Sequence, residues 1–389
     1  MSAAPQSGSA MSGPVGVADA SPTDAQASAV KPACVEITPS RESVVGAMRV
    51  RRALPRIGRR TVGAWCFADH MGPELVTETR GLDIGPHPHT GLHTVTWLVA
   101  GEVLHRDSLG SEQVIRAGQL NLMTAGQGVT HSEEATGRYR GRLHGVQLWV
   151  AQPEATRHGP AAFEHHAELP RVELGDAVAT VLVGSLAGAA SPARRDTALV
   201  GADVALGPGT GAWPLAPSFE HALVVLDGEV LVDDRVVRPG QLAYLGAGRA
   251  ELVLSAAAPS RVLLLGGEPF PEPVLMWWNF VVRSRDELDR AYRHWQSDDP
   301  RFGRLRSPWP ASRPPSRSGR GRPSAYGLAA TVMVNREKVV SSATSNPAWW
   351  QRSCRAVRLS TTLPQVSSYH WASAAKRVGM VWRAASVSG

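Results

Sequence analysis

Cysteine is scarce in this 389-residue chain, which holds only Cys34, Cys66 and Cys354. Because their number is odd and their positions are scattered, the sequence offers no disulfide framework of the kind that stabilises small secreted domains. No cysteine neighbours the histidine-rich stretch described below, and no G-x-S-x-G stretch is present. A cysteine or serine nucleophile therefore finds no support.

Long apolar segments are lacking as well. No run approaches the length of about 20 residues that crosses a bilayer as a helix. Residues 1–31 are rich in Ala, Ser, Gly and Pro, without a basic start followed by a continuous apolar stretch, so they are not typical of a secretory signal. We expect this segment to be disordered. We also expect the protein to be cytoplasmic and to have no membrane partner.

Acidic residues are almost absent from the last part of the chain. Residues 311–389 hold 12 Lys and Arg but only one acidic residue, Glu337, a balance of +11. Since the whole chain carries +7, subtraction (7 − 11) leaves −4 for residues 1–310, which argues against a nucleic-acid partner. The Ser-, Arg- and Pro-rich extension, 306–389, is predicted to be disordered. The alternative is a basic interaction arm; a disordered extension of this kind could also be a translated frameshift.

Histidine, in contrast, is concentrated in PHPHTGLHTVTWLVAGEVLHRDS, residues 86–108. His87 and His89 are separated by one residue, and TAGQGVTHSEE at 124–134 repeats this spacing with His131 and Glu133. Residues i and i+2 of a strand project to the same side, so two adjacent strands could bring three imidazoles and one carboxylate to one point. The pattern predicts a metal site. The alternative is a Pro-rich loop and a solvent-facing turn without a metal.

The neighbouring segments favour a small β-barrel. Residues 94–99 alternate in polarity before a break at Gly101, which is typical of a hairpin. In residues 143–152, Val146, Leu148 and Val150 share one face, whereas Gln147 and Trp149 share the other. Short strands separated by glycine turns, without a helical pattern, are typical of barrels.

The second half of the chain repeats this pattern more weakly. Residues 221–256 again alternate strands with D-G and P-G turns, which indicates an internal duplication. This half has no H-x-H or H-x-E stretch, and His221 alone cannot form a metal site. SRDE at 284–287 forms a capping box before Leu288, Tyr292 and Trp295, and predicts one short helix that covers a barrel end.

The stretches at 86–98 and 122–134 resemble the two signature motifs of the cupin superfamily. Together with FADHMGP (67–73), HGVQLWV (144–150) and GEPFPEPVLMWWNFV (267–281), they resemble the pirin family over about residues 40–305. The resemblance implies an all-β protein of two cupin-like barrels, a bicupin, with a short C-terminal helix and disordered ends. We expect a metal-binding barrel at 32–152 and a barrel without metal ligands at 153–305.

The resemblance also implies a ligand set. In pirins, both histidines of H-P-H and the His and Glu of H-x-E hold the metal, and these map onto His87, His89, His131 and Glu133. One departure is His93, which stands where the usual cupin motif has a glutamate. Gly91 can reset the strand parity, so we expect His93 to support a ligand by a hydrogen bond or to pack. His105 and His144 are expected to be structural or to line the pocket.

Three neutral histidines and one carboxylate leave positions open on a six-coordinate ion, which suits Fe(II) and related first-row divalent metals, although zinc also accepts such ligands. An open coordination shell points toward catalysis. Some pirins are flavonol (quercetin) 2,3-dioxygenases, which implies a small aromatic substrate and O₂. Glu133 would then accept the proton of the 3-hydroxyl group, or act as a ligand only. Other pirins are regulatory proteins that bind partners such as transcription factors; we favour the dioxygenase.

Overall fold

The fold is described from a computed structural model, and the description covers residues 34–78 and 80–315. The first part of the chain forms β1 (Glu36–Pro39), β2 (Arg41–Val45), β3 (Met48–Leu54), β4 (Trp65–Val76), β5 (Ile84–His89), β6 (Leu92–Ala100), β7 (Glu102–Asp107), β8 (Glu112–Arg116), β9 (Leu120–Thr124), β10 (Val129–Glu134), β11 (Gly141–Ala151) and β12 (Ala162–His166).

The second part forms β13 (Arg171–Leu174), β14 (Ala177–Leu186), β15 (Ala189–Ala190), β16 (Leu199–Leu206), β17 (Gly209–Pro214), β18 (Glu220–Asp227), β19 (Val230–Val232), β20 (Arg235–Val237), β21 (Gln241–Gly246), β22 (Glu251–Ala256), β23 (Ser260–Gly267), β24 (Leu275–Trp277) and β25 (Phe280–Val282). One α-helix, α1 (Arg285–Gln296), and a 3-10 helix at Pro300–Phe302 follow within the described residues. The predicted all-β class is confirmed.

Each half builds a barrel from one large and one small sheet. In the first barrel the large sheet has the order β12-β9-β6-β11-β4-β3-β2, and the small sheet has the order β5-β10-β7-β8. The second barrel combines β1-β21-β18-β23-β16-β14-β13, with β15 beside β14, and β17-β22-β19-β20. The predicted pair of cupin-like barrels is confirmed.

Two strands pair with the barrel other than the one that their position in the sequence suggests. Glu36–Pro39 pairs with β21 of the second barrel, although it lies within the predicted first domain at 32–152. Ala162–His166 pairs with β9 of the first barrel, although it lies within the predicted second domain at 153–305. These two strands therefore pair outside the barrel formed by most of their predicted domain, because strand pairing is decided by neighbours distant in sequence.

The large sheets of the two barrels pack against each other through their outer faces. This core contains side chains from both barrels, among them Val95, Trp97, Val146, Leu148, Val224, Leu263 and Leu265. The predicted face of Val146, Leu148 and Val150 is thus the outer face of its barrel. Because these apolar side chains point out of the first barrel, the side chains at the alternate positions, including Thr94, Thr96 and Gln147, point into it.

The predicted helix begins at Arg285, and the Ser284 side chain accepts a hydrogen bond from the Glu287 backbone N–H at 3.2 Å. The second half of the capping box differs, because the Glu287 carboxylate accepts from the Arg283 N–H at 2.9 Å. Leu288 is buried, and the helix packs on the hairpin of β24 and β25. None of the helices in the described part of the chain is long and apolar enough to cross a membrane.

Residues 303–315 run along the small sheet of the first barrel. The Ser307 hydroxyl donates to Glu134 at 2.6 Å, and the Ser312 N–H donates to the Pro86 carbonyl at 2.7 Å. Residues 306–315, the start of the predicted disordered extension, are therefore hydrogen-bonded to the barrel. Residues 1–33 and 316–389, which include the rest of both predicted disordered ends, lie outside the described residues.

Candidate metal centre

The four predicted ligands lie on two adjacent antiparallel strands of the small sheet. In the β5–β10 ladder, His87 is the direct partner of His131, and His89 is the partner of Val129. The register shifts after His131, so that Glu133 is paired with Ile84. The side-by-side arrangement that the two spaced pairs suggested is confirmed.

Three of the four predicted ligands come together. One ring nitrogen from each of His87, His89 and His131 lies within 4.8 Å of the other two. The ring centroids are 4.3 Å apart for His87 and His131, 4.9 Å for His89 and His131, and 5.1 Å for His87 and His89. All three side chains are buried, with at most 7% of the residue surface exposed. Three buried imidazoles this close together are unusual in a protein core unless they bind a shared ligand.

Backbone hydrogen bonds fix which nitrogens face the cluster. His87 Nδ1 lies 2.9 Å from the Gly85 carbonyl, and His89 Nδ1 lies 2.9 Å from the Asn279 carbonyl. Each Nδ1–H donates to a carbonyl, so each Nε2 keeps its lone pair. His89 Nε2 lies 3.1 Å from His131 Nε2, and two lone pairs at that separation repel unless a proton or a cation lies between them. This donor set fits a metal ion.

Burial keeps the three imidazoles neutral, which is the form that binds a metal. It lowers the pKa of His87 to about 4, against a smaller opposing effect of the hydrogen bond to Gly85. Burial also lowers the pKa of His89 and of His131 well below the ordinary value. Burial raises the pKa of Glu133, and this rise is opposed by His105 and by a hydrogen bond from Thr96.

Glu133 is buried beside the cluster but does not belong to the group of mutually close ligand atoms. Its Oε1 atom lies 3.2 Å from the Thr96 hydroxyl, which can donate to it from the opposite sheet. The register shift after His131 and this hydrogen bond together account for its direction. Glu133 remains a predicted ligand, and a change of its rotamer would be needed for it to join the three histidines.

His105, which was expected to be structural or to line the pocket, lies near the cluster and pairs with Asp107, which was not predicted as functional. His105 is the ladder partner of Glu133, and its ring centroid lies 5.3 Å from that of His131. Its Nε2 lies 3.1 Å from Asp107 Oδ2, and its ring stacks on Phe163 at 4.4 Å. The H-x-D spacing on β7 was the available signal, since it repeats the two-residue period of the other pairs.

The other two histidines left open by the sequence lie away from the cluster. His93 Nδ1 lies 2.9 Å from the Thr124 hydroxyl, and its Nε2 lies 3.0 Å from Asp196. Gly91, with φ +69°, interrupts the strand before it and does reset the parity. His93 therefore ties β6 and β9 to Asp196 rather than supporting a ligand. His144 Nε2 lies 2.8 Å from His70 Nε2, so His144 has a structural role.

Aromatic side chains line the interior beside the histidines. Phe67 and Trp149 stack at 4.1 Å, and Trp149 meets the His89 ring edge-on at 5.0 Å. These residues pack with Met123, and Phe163 packs against them. A groove of about 730 Å³ opens beside Arg106 and Arg304 rather than over the histidines. The cluster thus lies beside an aromatic wall.

Comparison with known proteins agrees with the geometry. The pirin family profile matches residues 47–150, and the profile of the pirin C-terminal cupin domain matches residues 201–303. A protein of Pseudomonas aeruginosa named "Putative quercetin 2,3-dioxygenase" is 46% identical over 69% of this chain and 85% of its own length. A pirin-like protein of Caulobacter vibrioides is 38% identical over 69% of this chain and 93% of its own length.

A solved structure supports the same relationship. The crystal structure of quercetin 2,3-dioxygenase from Acinetobacter baumannii has 40% sequence identity and a TM-score of 0.72. The alignment covers 74% of this chain and 97% of that chain. The two family profiles match one barrel each, and the chain belongs to the pirin family.

Proposed function

We propose that this protein is an Fe(II)-dependent dioxygenase that opens flavonols such as quercetin, with His87, His89, His131 and Glu133 as the metal ligands. The buried group of three histidines carries the proposal. In two of them Nδ1 donates a hydrogen bond to a backbone carbonyl, so that Nε2 keeps its lone pair for a metal. The relatives with quercetin 2,3-dioxygenase in their names support the substrate class. We also propose that the protein is cytoplasmic.

A bound metal ion would supply Lewis-acid and redox chemistry for the flavonol oxygen and O₂. The chain's own residues orient and protect this centre. Carbonyls of Gly85 and Asn279 hold two imidazoles in one tautomer, and Trp149 and Phe67 exclude water from the interior. The Glu133 carboxylate is buried beside the histidines, where it can accept the proton of the flavonol 3-hydroxyl.

The substrate enters, in this proposal, beside β12. This strand lies at the edge of the large sheet and has a single neighbour, β9. Phe163, which stacks on His105, is only half-buried, as is His165 on the same strand. An edge strand with half-buried side chains can move away at lower cost than a central strand of the barrel.

The test is to load the purified full-length protein with Fe(II) without oxygen, measure bound iron by elemental analysis, and then add quercetin and air. We expect about one metal ion per chain, consumption of quercetin, and release of carbon monoxide. His89→Ala should lose most of the metal because it removes one ligand from a small set. His158→Ala is the control, since that histidine is exposed and outside the cluster.

Full metal retention by both His89→Ala and His131→Ala would refute the site. Iron-loaded wild-type protein that leaves quercetin unchanged would refute the reaction and favour the regulatory alternative.

A further inference from the structure

One layer of the first barrel's interior is polar across six adjacent strands. The ladder partners in this layer are His165 on β12, Asn121 on β9, Thr96 on β6, Gln147 on β11, Asp69 on β4 and Arg52 on β3. We call these six residues the polar row. Direct partners in antiparallel strands point to the same face, so all six line the interior. Barrel interiors of this size are filled by side chains or hold one small ligand, and buried polar atoms within them are normally hydrogen-bonded.

Layers made mostly of apolar side chains lie on both sides of the polar row. On one side, the partners two residues along are Phe163, Met123, Thr94, Trp149 and Phe67, which include the aromatic wall beside the histidines. On the other side, Leu98 and Met71 belong to an apolar cluster. The polar row is therefore a single layer inserted between apolar ones, at the level where Thr96 reaches Glu133.

At one end of the polar row, the side chains satisfy each other's hydrogen-bonding groups. Arg52 donates to both carboxylate oxygens of Asp69, at 2.7 and 2.6 Å, and its guanidinium lies over the Phe67 ring. This ion pair is bidentate and neutral overall, so it offers no free charge to a ligand. It closes one end of the layer.

The middle of the polar row has unused hydrogen-bonding capacity. Asn121 is buried; its Oδ1 lies 2.7 Å from His165 Nδ1, whereas its Nδ2 has no partner among the described residues. Gln147 Oε1 accepts from Thr96 at 2.8 Å, whereas its buried Nε2 also has no partner there. If either amide is turned over, its carbonyl oxygen becomes the end without a partner. Buried polar atoms without partners destabilise a fold, and two on either side of Thr96 point to a ligand.

We propose that Asn121 and Gln147 form a substrate-recognition subsite that binds a neutral oxygen group, a phenolic hydroxyl or a ketone, of an aromatic molecule lying against Trp149 and Phe67. An amide can donate or accept, and so can a hydroxyl, whereas the row offers no free cation for a carboxylate. This inference rests on the proposed function for the substrate class. It adds that ring hydroxyls remote from the metal are recognised by the protein.

The test compares the binding of two flavonols to the metal-loaded full-length protein without oxygen, followed by tryptophan fluorescence. Quercetin carries several ring hydroxyls, whereas 3-hydroxyflavone keeps the 3-hydroxyl and the adjacent ketone but lacks the others. We expect the wild-type protein to bind quercetin about tenfold more tightly, because a site built for a hydroxyl leaves its own groups unpaired with the analogue. Asn121→Leu and Gln147→Met should each reduce this ratio towards one by weakening quercetin alone.

Gln296→Met is the matched control, because it removes an exposed amide at the end of α1. Thermal unfolding and metal content establish that each variant is folded. If the variants do not fold, the wild-type ratio by itself still tests the subsite.

Equal affinity of the wild-type protein for both flavonols, no binding of either, or an unchanged ratio in both variants would overturn the subsite; the last result would mean that ordered water satisfies the amides. The reaction is judged separately. A protein that prefers quercetin but never opens its ring keeps the subsite and refutes the dioxygenase. Equal affinity with turnover of both flavonols does the reverse.

Discussion

At the scale of single residues, the direction of Glu133 is the decisive feature of the candidate centre. The three histidines converge, whereas the carboxylate accepts from Thr96 across the barrel. The Thr96 hydroxyl has one proton but two acceptors within reach, Glu133 at 3.2 Å and Gln147 at 2.8 Å. When the proton goes to Gln147, the carboxylate is free to turn toward the histidines. Ligation and proton transfer are therefore separable roles for one side chain.

The substitution Glu133→Gln distinguishes these roles. The amide keeps the size and one possible ligand oxygen but is a far poorer base. If Glu133 accepts the flavonol proton, quercetin turnover per bound iron should fall by about 100-fold or more, the usual contribution of a positioned base. Bound iron, measured on the same sample by elemental analysis, should fall much less. Unchanged turnover per bound iron would leave ligation as its only role.

At the scale of secondary-structure elements, α1 shows how a short local signal works and where it stops. Ser284 caps the helix as the sequence predicts, because its hydroxyl accepts an N–H that has no partner inside the helix. Glu287 instead binds the Arg283 N–H and the Arg157 guanidinium, a residue 130 positions away. A tertiary contact has thus taken over half of a local motif.

Replacing Ser284 with alanine should lower the free energy of unfolding by about 1 kcal/mol, the usual effect of losing an N-cap side chain. Urea denaturation followed by circular dichroism measures this change. Ser297→Ala at the other end of the helix is the control and should shift the free energy by less than about 0.5 kcal/mol, since the Ser297 hydroxyl makes only an exposed hydrogen bond, to the His294 carbonyl at 3.2 Å. Equal effects of the two substitutions would show that the cap contributes nothing specific.

At the scale of the whole molecule, chain segments cross between parts that the sequence presents as separate. β1 joins the second barrel, β12 joins the first, and residues 303–315 run along the sheet that carries the histidines. Trp65 links the two barrels by donating to the Val200 and Gly266 carbonyls, both at 3.1 Å. The barrels are therefore joined by exchanged strands and by buried hydrogen bonds as well as by an apolar interface.

Two truncations test where the folded part ends. Removing residues 316–389 should leave the melting temperature and metal content unchanged, because that segment is basic and its sequence is aperiodic, and because the hydrogen bonds of Ser307 and Ser312 to the barrel are kept. Removing 303–389 should lower both, because Glu134 loses the Ser307 hydroxyl and Pro86 loses the Ser312 N–H next to His87. Differential scanning calorimetry and elemental analysis provide the measurements.

A large fall in stability or metal content for the shorter deletion would place part of residues 316–389 in the folded core. Identical behaviour of both truncated proteins and the full chain would mean that residues 303–315 do not support the metal-site sheet.

The sequence by itself determined the local features of this protein. Alternating polarity predicted the strands and assigned Gln147 and Trp149 to the face opposite Val146, because side-chain direction in a strand has a period of two. The spaced pairs on β5 and β10 predicted the histidine cluster for the same reason.

Only the tertiary structure decided which strands meet. The polar row draws its residues from six strands between Arg52 and His165, and no spacing in the chain connects them. The exchange of β1 and β12, the place of His105 opposite Glu133 and the bond from Thr96 to Glu133 likewise depend on partners distant in sequence. A two-residue period fixes the face on which a side chain lies but not the strand beside it, since pairing is selected by packing of the whole barrel.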